Sequence, residues 1–207
     1  MAKRNDKVTD LREACIQEAL AIIEVSGIEE LSLREISRRL GVSHQAPYKH
    51  FPSRDHILAE IVRRAFNAFA QHLDDRPRTD NPRSNLESMG RAYLSYALAH
   101  PLQYRLMFGT PLPDPAQHTA MMKSAQHAFS LLQDCIAQMK LASDWNIEGY
   151  AVVLDALFVW STIHGLASIL QTHALDTLSL SDAVLDNAVH HTLFRIDTAL
   201  NTKKTES

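Results

Sequence analysis

The chain has 207 residues, of which 45% are hydrophobic and 22% are charged, and its formal net charge is −3. This is an ordinary soluble composition with enough apolar residues for a core, and the low content of Gly and Pro argues against an all-β chain with many tight turns. Cys15 and Cys135 stand far apart without a CxxC motif, so we expect a reduced, cytoplasmic setting without a disulfide framework. The N-terminal residues contain no apolar run, so we expect no signal peptide.

Helical periodicity fills the chain, whereas strand signals are nearly absent. Short polar residues mark helix starts: Ser32 and Ser84 are each followed three residues later by Glu, which is the pattern of a capping box. We therefore predict an all-α fold of about nine helices. In chain order they cover about 7–26, 32–41, 43–50, 54–74, 84–100, 101–108, 115–141, 146–173 and 181–202.

The second and third predicted helices are short and are joined by Gly41 and Val42, which is the arrangement of a helix-turn-helix. Gly41 supplies a left-handed backbone at the tight corner. His44, Gln45 and Lys49 then face outward, and side chains of these types can reach base edges and phosphates. The net charge does not favour nucleic-acid binding, so this expectation depends on where these residues are placed.

This segment carries a family resemblance. The stretch LSLREISRRLGVSHQAPYKHFPSRDHIL, residues 31–58, resembles the DNA-binding segment of the TetR family of transcriptional regulators, and the likeness extends over about residues 10–64. Residues 101–109, PLQYRLMFG, and 160–165, WSTIHG, resemble the family branch whose C-terminal domain has a Trp-His-Gly signature. The resemblance implies a DNA-binding domain over 1–56 and a helical effector-binding and dimerisation domain over 57–207. The most linker-like stretch of the chain lies at 76–83.

The resemblance also implies roles for individual residues. Ser43 to Lys49 would lie in the major groove, with Gln45 as the first candidate for reading bases and His44 as the second. Other residues would contact phosphates, some of them through a helix N-terminus. The whole predicted DNA-binding set is Ser32, Arg34, Ser43, His44, Gln45, Ala46, Pro47, Tyr48, Lys49, His50 and Arg54. Pro47, inside the predicted recognition helix, would remove only the first backbone hydrogen bond and could meet a thymine methyl group.

The segment 150–170 is apolar nearly all round but is interrupted by Asp155, His164 and several hydroxyl groups, so burial on two sides is a better interpretation than a membrane span. One face would lie in the domain core and the other against a partner. The resemblance implies that the helices at about 146–173 and 181–202 form a homodimer across a two-fold axis, which suits a helix-turn-helix protein on a pseudo-palindromic operator.

Aromatic and methionine side chains in the C-terminal part suit either an adaptable ligand pocket or a packed core, and the sequence leaves both interpretations open. The predicted ligand-binding set is Tyr93, Tyr96, Tyr104, Met107, Phe108, Met122, Phe129, Trp160 and His164. Within it, His164 is equally a candidate for a hydrogen-bonded structural histidine.

Metal and enzyme functions find little support. The eleven histidines show no HExxH spacing and no Cys–His cluster, so we expect no metal. No nucleophile elbow or phosphate-binding glycine loop is present, so we expect no enzyme and no cofactor. Two functions remain: a homodimeric repressor released from its operator by a small molecule, or a dimeric DNA-binding protein controlled by a protein partner or acting as a nucleoid-type factor. The sequence does not exclude an activator.

Overall fold

The computed structural model describes residues 2–109, 111–142, 149–172 and 175–201. Throughout these ranges the chain is helical and contains no strand, which confirms the predicted all-α fold. The α-helices are α1 Ala2–Ser26, α2 Leu33–Leu40, α3 Arg54–Asp74, α4 Pro82–Ala99, α5 Pro101–Phe108, α6 Thr119–Leu141, α7 Gly149–Leu170 and α8 Asp182–Asn201. Short 3-10 helices cover Ile28–Glu30, Pro47–Lys49 and Leu175–Leu178.

The chain divides into two compact units. The first contains Met1–Phe66 and Arg105–Ser124, and the second contains Asn67–Tyr104 and Ala125–Ser207. These units differ from the predicted ranges 1–56 and 57–207, because the first unit also includes the first half of α3 and the segment that precedes α6. As a result, α3 and α6 each begin in the first unit and end in the second.

The first unit is built on the apolar faces of α1, α2 and α3, where Ile16, Ile36 and Ile57 are fully buried. Ser32 caps α2, because its hydroxyl oxygen accepts from the Glu35 N–H at 3.1 Å. Gly41 ends the helix at φ 64°, a left-handed conformation that L side chains rarely adopt. The Val42 N–H then returns to the Ser37 carbonyl at 3.1 Å, which satisfies one of the last carbonyls of α2.

The predicted helix at 43–50 is instead a turn at 44–46 followed by a 3-10 helix at Pro47–Lys49. Proline has no N–H, so an α-helical bond from position 47 back to the Ser43 carbonyl cannot form. That carbonyl accepts from the Ala46 N–H at 2.9 Å instead, and the next turn is closed by His50 N–H to the Pro47 carbonyl at 2.9 Å. The segment therefore differs from the prediction in helix type, and not only by the loss of one bond at Pro47.

Two predicted helix starts are also wrong. Helix α4 begins at Pro82 and its N-cap is Asn81, whose side-chain oxygen accepts from the Arg83 N–H at 3.0 Å. The predicted capping box at Ser84 therefore lies inside the helix, where Glu87 binds Arg91. Helix α6 begins at Thr119 rather than near 115, because the preceding residues form a turn in which the Asp114 carboxylate accepts from the Ala116 N–H at 3.0 Å.

In the second unit, α4 packs closely against α8. A Cβ on Gly90 would lie too close to the end of the Leu193 side chain, so a larger residue here would require that side chain to shift. Helix α7 buries one face through Ala156, Val159 and Ile163. Its segment Ala151–Leu170 is long and apolar enough to cross a membrane by length and composition alone, a criterion that the core helix of a water-soluble protein also meets.

Candidate nucleic-acid interface and effector site

The segment after α2 presents polar side chains to solvent. Ser43, His44, Gln45 and Lys49 are exposed, and Tyr48 is 40% exposed with its ring 5.6 Å from that of His44. These groups offer amide, imidazole, hydroxyl and ammonium functions along one short stretch of backbone. They are therefore available to a nucleic acid without rearrangement of the core.

Two of the predicted DNA contacts lie at more enclosed positions of this segment. Pro47 is buried and Ala46 is partly buried. A buried ring cannot meet a thymine methyl group, so the structure argues against the predicted contact between Pro47 and a base. Pro47 instead belongs to the buried side of the segment, whereas His44 and Tyr48 are exposed.

Arg54 also has a structural role that the sequence did not reveal. Its Nε donates to the Leu31 carbonyl at 3.1 Å and its Nη2 donates to the Ile28 carbonyl at 2.6 Å. These bonds tie the start of α3 to the 3-10 helix before α2 and satisfy carbonyl groups there. Two of its five donors are thus engaged within the protein and help to hold the helix-turn-helix together, while its predicted contact with phosphate stays a prediction.

The N-terminal end of α2 keeps positive charge exposed. Arg34 is exposed and, within the described part of the chain, neither Arg34 nor Lys49 forms an ion pair. Arg38 and Arg39, by contrast, both bind the Glu35 carboxylate, at 2.6 and 2.8 Å. Their hydrogen bonds lower the pKa of Glu35 to about 2, so this carboxylate remains charged and occupies both guanidinium groups.

In the second unit, four side chains of α4, α5 and α7 form a hydrogen-bonded network. The Trp160 Nε1–H donates to the Tyr93 hydroxyl at 3.3 Å, and the two tyrosine hydroxyls of Tyr93 and Tyr104 are 3.0 Å apart. The Tyr104 hydroxyl lies 2.6 Å from Nδ1 of His164, and that of Tyr93 lies 3.1 Å from the same nitrogen. Nδ1 of His164 is within hydrogen-bonding distance of both tyrosine hydroxyls, so the four side chains form one connected network.

Burial keeps the network uncharged. Desolvation raises the pKa of both Tyr93 and Tyr104 and lowers the pKa of His164 below its ordinary value. The Trp160 to His164 spacing of the sequence signature places the indole and the imidazole one helical turn apart on α7. The indole N–H donates to Tyr93, and the imidazole Nδ1 contacts both tyrosine hydroxyls.

The other predicted ligand-binding residues are divided between the two units. Phe129 joins the network in the second unit, since its ring contacts that of Trp160 at 5.9 Å. Tyr96 lies between Phe69 at 5.1 Å and His100 at 4.6 Å, and burial raises its pKa to about 12. The Phe69 ring also contacts that of Tyr93 at 5.2 Å. The remaining three, Met107, Phe108 and Met122, belong to the first unit.

Sequence reasoning missed Lys140 as a functional candidate. This side chain is only 6% exposed and forms an ion pair with Asp155, which links α6 to α7 inside the second unit. The sequence places Lys140 near the end of a predicted amphipathic helix, where a lysine is ordinarily solvated. The position of Asp155 within an apolar helix could have indicated this ion pair, because a carboxylate in such surroundings is ordinarily paired with a cation.

Helices α7 and α8 also expose large apolar side chains. On α7, Leu154 is 57% exposed and Leu157 and Phe158 are each 43% exposed, and on α8 Phe194 is 58% exposed. Residues 154, 157, 158 and 161 follow helical spacing, so they share one face of α7, opposite its buried face. Exposed apolar surface of this kind marks an interaction site.

Comparisons with known proteins find matches for both the N-terminal and the C-terminal part of the chain. Residues 16–61 match the family model described as bacterial regulatory proteins of the tetR family, and residues 86–192 match the one described as a tetracyclin repressor-like C-terminal domain. An uncharacterized helix-turn-helix-type transcriptional regulator of Mycobacterium tuberculosis is 25% identical over 184 residues, which cover 86% of this chain and 78% of that protein.

Two further similarities extend the comparison. The class C tetracycline repressor protein of Escherichia coli is 32% identical over 90 residues, 41% of this chain and 40% of that protein. The structure of a protein of unknown function from Rhodococcus sp. RHA1 superposes with a TM-score of 0.75 at 25% identity, covering 93% of this chain and 96% of that one.

Proposed function

This chain belongs to the TetR family of DNA-binding transcriptional regulators, and we propose that it acts as a homodimeric repressor which a small molecule releases from its operator. The observation that carries the DNA-binding part is the row of exposed polar side chains between Gly41 and His50, held by a segment whose proline is buried. The chain is not an enzyme, since its family and its relatives are transcriptional regulators.

We assign base reading to exposed side chains of residues 43–49, which we call the recognition segment. Gln45 can pair bidentately with adenine, and His44 can donate to or accept from a neighbouring base edge. Lys49, Tyr48 and His50 contact phosphates on one side. Ser32 and Arg34 contact the backbone on the other side, where the α2 N-terminus adds N–H groups and Arg34 adds charge.

Dimerisation through α7 and α8 accounts for their exposed apolar side chains. Leu154, Leu157 and Phe158 of one protomer would pack against the same helices of its partner around a two-fold axis. A two-fold dimer would place two recognition segments on successive major grooves, about 34–36 Å apart. Loss of the dimer should therefore abolish tight operator binding even when each protomer remains folded.

The effector would bind beside the network of Tyr93, Tyr104, Trp160 and His164. Aromatic walls with a few convergent polar groups are typical of small-molecule sites. A ligand that binds one conformation of the second unit better than another shifts the population of DNA-binding dimers by that difference in affinity. Helix α3 is continuous between the two units, so it provides a covalent path for that change. The regulator would act in the cytoplasm, where the chromosome is accessible.

The test begins by selecting DNA fragments from the source genome on the purified dimer and footprinting the recovered site. We expect a pseudo-palindrome protected over two successive major grooves. Candidate ligands are then added to the complex, and a ligand that quenches Trp160 fluorescence should also release the DNA. A ligand that binds beside Trp160 without any change in operator affinity would contradict the repressor mechanism and favour control by a protein partner.

A further inference from the structure

The first unit contains an open cleft, and His50 is the one lining residue to which the proposed function assigns a DNA contact. Its volume is about 290 Å³, and it is lined by α1, by α3 and by the segment that leads into α6. The charged and imidazole side chains that line it are Arg12, His50, His56, Glu60, Arg63 and His118. A volume near the low end of the range for small-molecule sites suits a compound of metabolite size or a small oxyanion.

The cleft carries excess positive charge. Glu60 is the one acid among its lining residues, and its carboxylate binds three arginines: Arg12 at 3.1 Å, Arg63 at 2.8 Å and Arg64 at 3.0 Å. Arg64 also binds Glu13 at 2.8 Å. Three guanidinium groups therefore face two carboxylates, which leaves one positive charge. Hydrogen bonds from Arg63 and the other arginines lower the pKa of Glu60 to about 2, so this balance holds at neutral pH.

Two histidines meet across the cleft. The rings of His56 and His118 lie edge to face, with centroids 4.9 Å apart. His56 is exposed and its Nδ1 lies 2.8 Å from the Ser53 hydroxyl, whereas His118 is partly buried at the start of α6. The His118 carbonyl accepts from the Met121 N–H at 3.0 Å, so His118 stands at the N-terminal end of α6. Helix N-termini favour negative charge.

The Phe51 ring fixes the position of the Arg12 guanidinium group. Its guanidinium group lies 5.2 Å from the centroid of the buried Phe51 ring, which holds the positive charge at the wall of the cleft. Asp114, on the segment before α6, is occupied by the Ala116 N–H and by the Gln117 side chain at 2.9 Å. Both of these partners are neutral, so Asp114 keeps its negative charge, but it is not among the residues that line the cleft.

We propose that this cleft binds a small molecule that bears a carboxylate or phosphate group, with Arg12 and Arg63 supplying charge and His56 and His118 supplying N–H donors. This site lies in the first unit and differs from the effector site proposed in the second.

The experiment titrates the full chain with inorganic phosphate and, in a parallel arm, with citrate, against sodium chloride at matched ionic strength. Histidine ring protons observed by NMR report the site. We expect saturable shifts of the His56 and His118 ring protons, and the arm with the tighter binding identifies the preferred anion. Shifts that follow ionic strength alone, without saturation in either arm, would overturn the proposal.

Variants separate the site from general charge effects. His118→Gln and His56→Gln should each weaken anion binding about tenfold, since each removes one charge-assisted hydrogen bond. His127→Gln is the matched control, because His127 is exposed elsewhere on α6 and does not line the cleft. Thermal unfolding of each variant confirms that it is folded. Unchanged anion affinity in both cleft variants would refute the assignment, and neither outcome depends on DNA binding or on the effector site of the second unit.

Discussion

The two units use polar side chains in opposite ways. In the first, His44, Gln45 and Lys49 lie exposed on a short segment, where they can contact another molecule. In the second, Tyr93 and Tyr104 are buried, His164 is half-buried, and the three are bonded to one another. A substitution in the first group should therefore change DNA binding and leave stability nearly unaltered, whereas a substitution in the second should change stability first.

The largest effect should come from Asp155→Ala in the second unit. Removing this carboxylate takes an anionic partner away from the buried Lys140 ammonium, and breaking a buried pair is far more costly than replacing both groups. Because Asp155 is partly exposed, we expect a loss of about 2–3 kcal/mol in the free energy of unfolding, measured by urea denaturation.

The double variant Lys140→Met with Asp155→Leu is the control for that measurement. Two apolar side chains of similar size remove the unpaired charge, so stability should recover most of the loss. A double variant no more stable than Asp155→Ala would show that packing, and not the ion pair, determines the effect.

The second-largest predicted effect concerns the exposed side chains of the first unit. Gln45→Ala should reduce discrimination at one operator position by about 1–3 kcal/mol, because a bidentate amide contact carries sequence information. The matched variant Lys49→Ala should weaken binding to all sequences alike and flatten the salt dependence by about one unit. Both are measured as affinities for a set of operator variants at several salt concentrations, and both variants should unfold like the parent protein.

Identical behaviour of these two variants would contradict the division between base reading and phosphate contact. A marked loss of stability in either would contradict the wider contrast between the two units, since both side chains are exposed. Surface substitutions away from special features ordinarily change stability by about 0.5 kcal/mol or less.

The sequence predicted what depends on neighbours along the chain. The Ser32 cap and the left-handed Gly41 require only residues within one turn, and both are present. The role of Arg54 was not predictable in this way, because its acceptors are carbonyl groups of Ile28 and Leu31, more than twenty residues earlier. A local rule also failed at Pro47: the missing N–H was recognised, but its consequence for the helix type depends on how the segment is buried.

The polar network shows the same limit. Each of its residues was predicted as a ligand contact or a core residue, with no way to decide between the two. Tyr104 and His164 are separated by sixty residues along the chain, so only the packed helices bring them within 2.6 Å. By contrast, Met107, Phe108 and Met122 were grouped with them because of residue type alone, and the fold assigns all three to the other unit.

Tyr104→Phe tests the network with a smaller change. It removes one hydroxyl and leaves His164 Nδ1 and the Tyr93 hydroxyl with one partner fewer, for a cost of about 1–2 kcal/mol in the free energy of unfolding. Tyr96→Phe is the matched control, because this tyrosine is equally buried but lies outside the network. Equal losses in both variants, measured by urea denaturation, would mean that the network contributes nothing beyond ordinary burial of a hydroxyl.

The smallest predicted effect is a dependence of stability on pH. The folded pKa of His164 is depressed below its unfolded value of about 6.5, so above that pH both states are neutral and the group contributes no pH dependence. As the pH falls below about 6.5, the unfolded chain binds a proton that the folded chain does not, and the free energy of unfolding decreases. The decrease ends once the pH has fallen through the folded pKa.

Glu60 gives the comparison for this effect. Its folded pKa of about 2 lies below that of an ordinary glutamate, so its contribution to stability is present at neutral pH and is lost only as the pH falls from about 4.5 toward 2. Urea denaturation between pH 8 and pH 5 therefore isolates the histidines. His164→Asn should reduce the slope between about pH 6.5 and pH 5.5, whereas His127→Asn, at an exposed position, should leave it unchanged. A slope that persists in His164→Asn would show that the imidazole in the network titrates as it does in water, and that the second unit does not withdraw its polar groups from solvent as the hydrogen bonds indicate.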